Sequence, residues 1–131
     1  MAGGVNKVIL LGNLGKNPDI KKLDGGITIA IFPLATTEYF KDKNSGEKKS
    51  QTEWHNIVCW RGVAESAEKS ELKKGDRIFL EGKIKNRKWT DKEGKERSNT
   101  EIVCESFTII NRKKIGEAEE SLESKVGLAE E

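Results

Sequence analysis

An all-β fold, a small closed barrel of five strands with one short helix and long β-hairpins, is what this sequence predicts, and three observations predict it. Apolar and polar residues alternate with period two through most of residues 1–112. The alternating runs are rich in β-branched and aromatic side chains, and clusters of Gly, Asn, Asp and Lys separate them. At 131 residues the chain fits one such domain, over residues 1–112, and a short appendage over residues 113–131.

Taken in order, the strands are expected over residues 6–14, 26–36, 52–60, 76–89 and 100–110. Turn formers divide the first two: Gly15-Lys16-Asn17-Pro18-Asp19 and then Asp24-Gly25-Gly26. Residues 41–49 and 91–95 are polar and read as the projecting tips of two long hairpins. Only residues 63–74 carry a helical stripe, of Val63, Ala64, Ala67 and Leu72, with Gly75 where a C-terminal cap belongs. That places one short helix between the third and fourth strands. Five strands with a helix in that slot is the element order of the OB-fold, a Greek-key barrel that takes oligonucleotides and oligosaccharides.

Composition narrows the function. Hydrophobic residues make up 34% of the chain and charged residues 35%, so the core must be small. No apolar run approaches the roughly 18 residues of a membrane span, and the first residues lack a signal peptide's apolar stretch, so a cytoplasmic protein with no membrane partner is expected. Cys59 and Cys104 each lie in an apolar run and read as reduced, buried thiols. With one histidine, His55, and no closely spaced cysteine pair, no metal site and no cofactor are expected. The net charge of +2 is uneven: residues 113–131 hold three lysines against six glutamates, which leaves −3 there and +5 on the body. A moderately basic body suits a phosphate backbone, and equally suits a solvated surface.

The residues that could carry a function are aromatic and basic. Phe40, Trp54, Trp60 and Trp89 sit among polar or basic neighbours, which is unusual for core, whereas Phe32, Phe79 and Phe107 lie in apolar runs. Alternation puts Trp54, Asn56, Val58 and Trp60 on one face of their strand and His55, Ile57 and Cys59 on the other. Flat rings spaced along a groove stack any base, which is how single strands are bound without sequence preference; a core position is the competing reading for each ring. Lys83, Lys85, Arg87 and Trp89 fall on one side of a later strand, a stripe that would track phosphates while its ring takes a base, or else a solvated ribbon. Lys73 and Lys74 at the helix end are weaker candidates, since cations there also complement the helix dipole. Gly12-Asn13-Leu14-Gly15-Lys16 lacks the spacer and hydroxyl of a phosphate loop and reads as a turn. No carboxylate cluster or nucleophile-base pair is visible, so no catalytic residue is expected and the protein is not read as an enzyme.

Several of these segments resemble a known family. The opening Gly4-Val5-Asn6-Lys7-Val8-Ile9-Leu10-Leu11-Gly12-Asn13-Leu14-Gly15 is similar to that of the bacterial single-stranded DNA-binding proteins. So are Leu34-Ala35-Thr36, Gln51-Thr52-Glu53-Trp54-His55, Lys74-Gly75, Glu81-Gly82-Lys83 and Arg87-Lys88-Trp89-Thr90-Asp91, in the same order and spacing. The resemblance covers roughly residues 3–112. It implies an OB-fold homotetramer that wraps single-stranded DNA during replication, recombination and repair. It also implies stacking by Phe40, Trp54, Trp60 and Trp89, and phosphate contacts from Lys7, Lys43, Lys49, Lys74, Lys85, Arg87 and Lys88. His55 and the first strand, with Asn6, Val8 and Leu10, become the implied subunit interface. The tail departs from the family pattern: it has no proline, no aromatic and no Asp-Asp-Ile-Pro-Phe-like tip, so recruitment of repair and replication enzymes by that route is not expected. Two rival classes remain on the sequence alone, a nuclease and a partner-holding scaffold of the same fold.

Overall fold

The computed structural model describes residues 2–112; the acidic tail anticipated over 113–131 lies outside the described residues. Six strands and one helix follow one another as β1 (Val8–Leu14), β2 (Asp19–Leu23), β3 (Ile27–Lys41), β4 (Lys48–Trp60), α1 (Gly62–Lys69), β5 (Arg77–Thr90) and β6 (Glu96–Asn111). They form one sheet in the order β1-β5-β6-β4-β3-β2, and an added β1–β3 pairing closes five of them into a barrel. β2 pairs only with β3 and stays outside the closed ring. The expected all-β barrel is therefore present, with one correction: a sixth strand precedes the second expected one, so the helix falls between β4 and β5.

β2 went unseen because Asp-Ile-Lys-Lys-Leu offers too little alternation between two turn-rich segments. Only Ile20 packs toward the core, and its lysines suit an unpaired edge. Closure depends on β1, which pairs with β5 from Val8 to Asn13 and with β3 through Asn13 and Leu14. At Gly12 a Cβ would collide with the Ala35 carbonyl of β3, so the two backbones approach that closely only because no side chain stands between them.

α1 also corrects the expectation, since it stops at Lys69 with Ser70 as its C-cap rather than reaching 74. The Leu72 N–H donates to the Ala67 carbonyl at 3.1 Å and the Glu71 N–H to Glu68 at 3.1 Å, which is the paired bonding of a Schellman motif. Glu71, with φ 55°, holds the left-handed position that glycine usually takes. Leu72 and Ala67 are both buried in the core, which locks this ending in place of one at Gly75. Asp76, 2% exposed, accepts the Lys73 N–H at 2.9 Å and faces Arg112 at 3.4 Å.

The core is the inward face of the barrel: Leu14, Ala30, Phe32, Leu34, Ile57, Cys59, Ile78, Leu80, Ile102 and Cys104, plugged at one end by Ala64, Ala67 and Leu72. Both cysteines are free and buried, as expected. The neighbouring Cys104 sulfur and then burial push the Cys59 thiol far above its ordinary range, so it stays protonated. Beyond the barrel the paired arms run on, β3 with β4 out to Lys41↔Lys48 and β5 with β6 out to Thr90↔Glu96. These arms are exposed on both faces, so the hydrophobic alternation that marks a strand is missing, although the ladder continues.

Candidate nucleic-acid interface

The antiparallel register of β3 and β4 lays Trp60 opposite Ile29, Val58 opposite Ile31, Asn56 opposite Pro33 and Trp54 opposite Ala35. Every second residue of β4 thus lies on the outer face, while Ile57 and Cys59 are fully buried on the inner one. Ladders carry one row of this face across the sheet: Asp19 of β2, Ile31 of β3, Val58 of β4, Val103 of β6 and Lys83 of β5. Trp54 and Trp60 stand on β4 to either side of that row, about 20 Å apart along the strand. Beyond Lys83, β5 continues outward with Lys85 opposite Glu101, Arg87 opposite Asn99 and Trp89 opposite Arg97.

The rings differ in exposure, and the difference is informative. Trp54 is 62% exposed, Trp89 50% and Phe40 48%, far more than a core ring tolerates. Trp60 is half-buried beside the buried Ile29 and offers less of its surface. Phe40 pairs with Lys49 near the end of the β3–β4 arm, where strict alternation puts Tyr39 rather than Phe40 on the Trp54 face. Phe32 is buried and Phe107 packs against the core, as their apolar contexts indicated, but Phe79, expected in the core with them, alternates with the buried Ile78 and Leu80 and lies half-buried outside the core cluster.

Trp54 is held in place by what lies beneath it. The ring covers Gly15, where a Cβ would meet its Cζ3 carbon and stand 2.8 Å from Cη2, with the Pro33 ring next at 3.5 Å. The Gly15 N–H donates to the Pro33 carbonyl at 3.0 Å, which fixes the glycine under the indole. One face of the ring is therefore supported by backbone and the rest is left open.

The basic candidates divide by partner. Lys7 pairs with Glu81 at 3.1 Å, Lys49 with Asp42 at 3.0 Å and Arg87 with Glu101 at 3.7 Å; the three cations are more than half exposed, although the Asp42 and Glu101 carboxylates are largely covered. Among the described residues Lys43, Lys74, Lys85 and Lys88 take no ion-pair partner. Exposed pairs hold their cations weakly, so all seven can turn to another anion. Two hairpin tips are ordered by a carboxylate each. Asp42 accepts the Asn44 N–H, the Lys49 ammonium and the Ser45 hydroxyl, and Asp91 accepts Arg97 and the Lys95 and Glu93 N–H groups; these contacts hold both carboxyls below the ordinary carboxylate range.

His55 faces inward from β4, half-buried, with a ring nitrogen 2.9 Å from the Thr36 hydroxyl. Asn6 bonds both ways to the Ile84 backbone, at 2.8 and 3.0 Å. Val8 and Leu10 pack against the core, whereas Ile9 and Leu11, also within the first-strand segment that the resemblance implies as an interface, are the exposed members of β1 at 57% and 45%. Period-two alternation separates the two faces of a strand without telling which one is inside. Among the described residues no group of three or more His, Cys, Asp or Glu side chains converges as a metal site, and no helix is long and apolar enough to cross a membrane.

A closed OB barrel with open aromatic rings and cations on one outer face defines a nucleic-acid-binding module of the single-strand type. The chain belongs to the single-strand binding protein family, whose model matches residues 5–110. Among solved structures it is similar to the Plasmodium falciparum SSB complex with ssDNA, at 34% identity and a TM-score of 0.76 over 85% of this chain and 99% of that one. It is also similar to a deletion mutant of the single-stranded DNA binding protein from Thermus aquaticus, at 32% identity and a TM-score of 0.71, over 85% of this chain and 53% of that one.

Proposed function

We propose that this chain binds single-stranded DNA without regard to sequence, and protects it during replication, recombination and repair, without performing chemistry on it. One fact carries the reading: Trp54 is left 62% exposed on a face that also holds Trp60 and leads to Lys83, Lys85, Arg87 and Trp89. Bases stack on the rings, worth about 1 to 3 kcal/mol each, and the cations follow the phosphates. Membership of the single-strand binding protein family and the likeness to an SSB complex with ssDNA support it. Titrating the protein with poly-dT at several salt concentrations tests it: tryptophan fluorescence falls on stacking, and affinity falls linearly in log salt. A flat titration at low salt overturns the reading, and loss of labelled strands in magnesium or manganese returns the nuclease.

The assembled form we propose is a cytoplasmic homotetramer. Exposure of Ile9 and Leu11 on β1 supports it, because two large aliphatic side chains side by side on a strand are an apolar surface that a second copy would cover. Sedimentation at micromolar concentration tests it, and a monomer mass overturns it.

A further inference from the structure

Immediately after Trp60 the chain does something that its sequence makes expensive. Arg61 has φ 54° and ψ −121°, the angles of the first central position of a type II′ turn, which glycine ordinarily holds. A glycine stands next door at 62 and is not among the residues with positive φ, so the strained angle falls on the arginine although the adjacent residue would take it freely. The strain is enforced from both sides. The Arg61 N–H donates to the Thr28 carbonyl at 2.8 Å, and its own carbonyl accepts the Glu65 N–H at 2.9 Å as the first turn of α1 begins.

The side chain does nothing visible for the fold in return. Arg61 is exposed, makes no side-chain cap to α1, and takes no ion-pair partner among the described residues, even with Glu65 one helical turn away. A strained residue without a structural return is where functional pressure is to be looked for. Its position suits such a role: it follows the half-buried Trp60, at the end of the outer face opposite to Trp54.

We propose that Arg61 is a phosphate-contact residue of this face, held beside Trp60 by the turn so that a strand stacked on that ring meets a cation at the same step. This rests on the single-strand-binding reading above. A guanidinium is suited to the task, since its fork pairs with phosphate oxygens in two bonds.

The test is Arg61→Gly, because the two roles pull it in opposite directions. Glycine relieves the backbone, so the melting temperature rises by about 4 °C. It also removes the contact, so affinity for an oligo-dT falls about three- to tenfold and the salt slope flattens by about one unit. Arg61→Lys, which keeps the charge, retains most of the affinity. A more stable Arg61→Gly protein with unchanged affinity and slope overturns the proposal, as does lost affinity with an unchanged slope. In both of those outcomes the wild-type protein still binds oligo-dT; if the wild type fails to bind, it is the single-strand reading that has failed.

Discussion

Gly15 and Trp54, 39 positions apart in the chain, occupy one shared volume: the indole lies where a side chain on residue 15 would have to be. The glycine is thereby part of the proposed stacking platform, as the support beneath its ring. Gly15→Ala is expected to tilt the ring off its support and weaken binding about three- to tenfold, while Trp54→Ala loses about 1 to 3 kcal/mol per stacked base. In the Trp54→Ala background the Gly15 change should be nearly silent for binding, since the two act through one ring. A double-mutant cycle on oligo-dT affinity checks this, and additive losses would show that Gly15 acts elsewhere.

Lys85 and Arg87 separate by their surroundings. Lys85→Ala removes a cation with no ion-pair partner among the described residues, so affinity should drop for all sequences alike and the salt slope flatten by about one unit. Arg87→Ala does the same and also releases Glu101, whose side chain is only 12% exposed. The freed carboxylate then repels the strand, and the loss should exceed that of Lys85→Ala at low salt. Salt titrations of both variants decide it; a smaller loss at Arg87 would mean that its pairing with Glu101 persists in the complex.

Glu71 holds a left-handed φ of 55° at the end of α1, and its side chain takes no ion-pair partner among the described residues. Glu71→Gly should therefore stabilise the fold by about 0.5 to 1 kcal/mol, the left-handed penalty less the extra entropy glycine brings to the unfolded chain. The Arg112 guanidinium bonds to the Glu71 carbonyl, which the substitution leaves in place. Thermal unfolding checks it, and a lower melting temperature would show that the carboxylate contributes more than its geometry reveals.

Much of the fold was legible because the barrel is built from half-buried strands, and alternation is their direct imprint. Phe32, Leu34, Ile57, Cys59, Ile78 and Leu80 occupy every second position of their strands, and all are buried. What escaped had no such imprint. β2 buries little beyond Ile20, and the hairpin arms bury nothing, so neither writes a hydrophobic period. The end of α1 is set by where Leu72 can reach the core, a tertiary fact, and Gly75 was a decoy with its own turn at φ 92°. In the candidate site, Trp54 and Trp89 could be found because polar neighbours made a core role improbable. Arg61 could not, since its distinction is a backbone angle and its residue type is ordinary on any surface.

Asp42 and Asp91 tie off the two long hairpins in the same way, each with its carboxylate turned back on the N–H two residues on and on a cation across the tip, Lys49 at 3.0 Å and Arg97 at 2.9 Å. These contacts favour the ionised form, so each carboxyl titrates below the ordinary 3.8. A depressed carboxyl contributes order that is fully present above its unfolded pKa and is lost as pH falls through the folded one. Both tips should therefore be unchanged between pH 7 and about 5, and should loosen below about pH 4. The barrel's core cluster is apolar, and Asp76, the buried carboxylate among the described residues, lies at its end between α1 and β5, so the strand amides should stay protected while the tips open. Asp91→Asn keeps an acceptor for the Glu93 and Lys95 N–H groups but no charge for Arg97, and should make the β5–β6 tip indifferent to acid while the β3–β4 tip still responds. Carboxyl carbon shifts followed by NMR from pH 7 to 2, with tip amide exchange alongside, read both effects; a midpoint at or above 3.8 for either residue, or simultaneous loss of barrel and tips, would show that these carboxylates do not hold the hairpins.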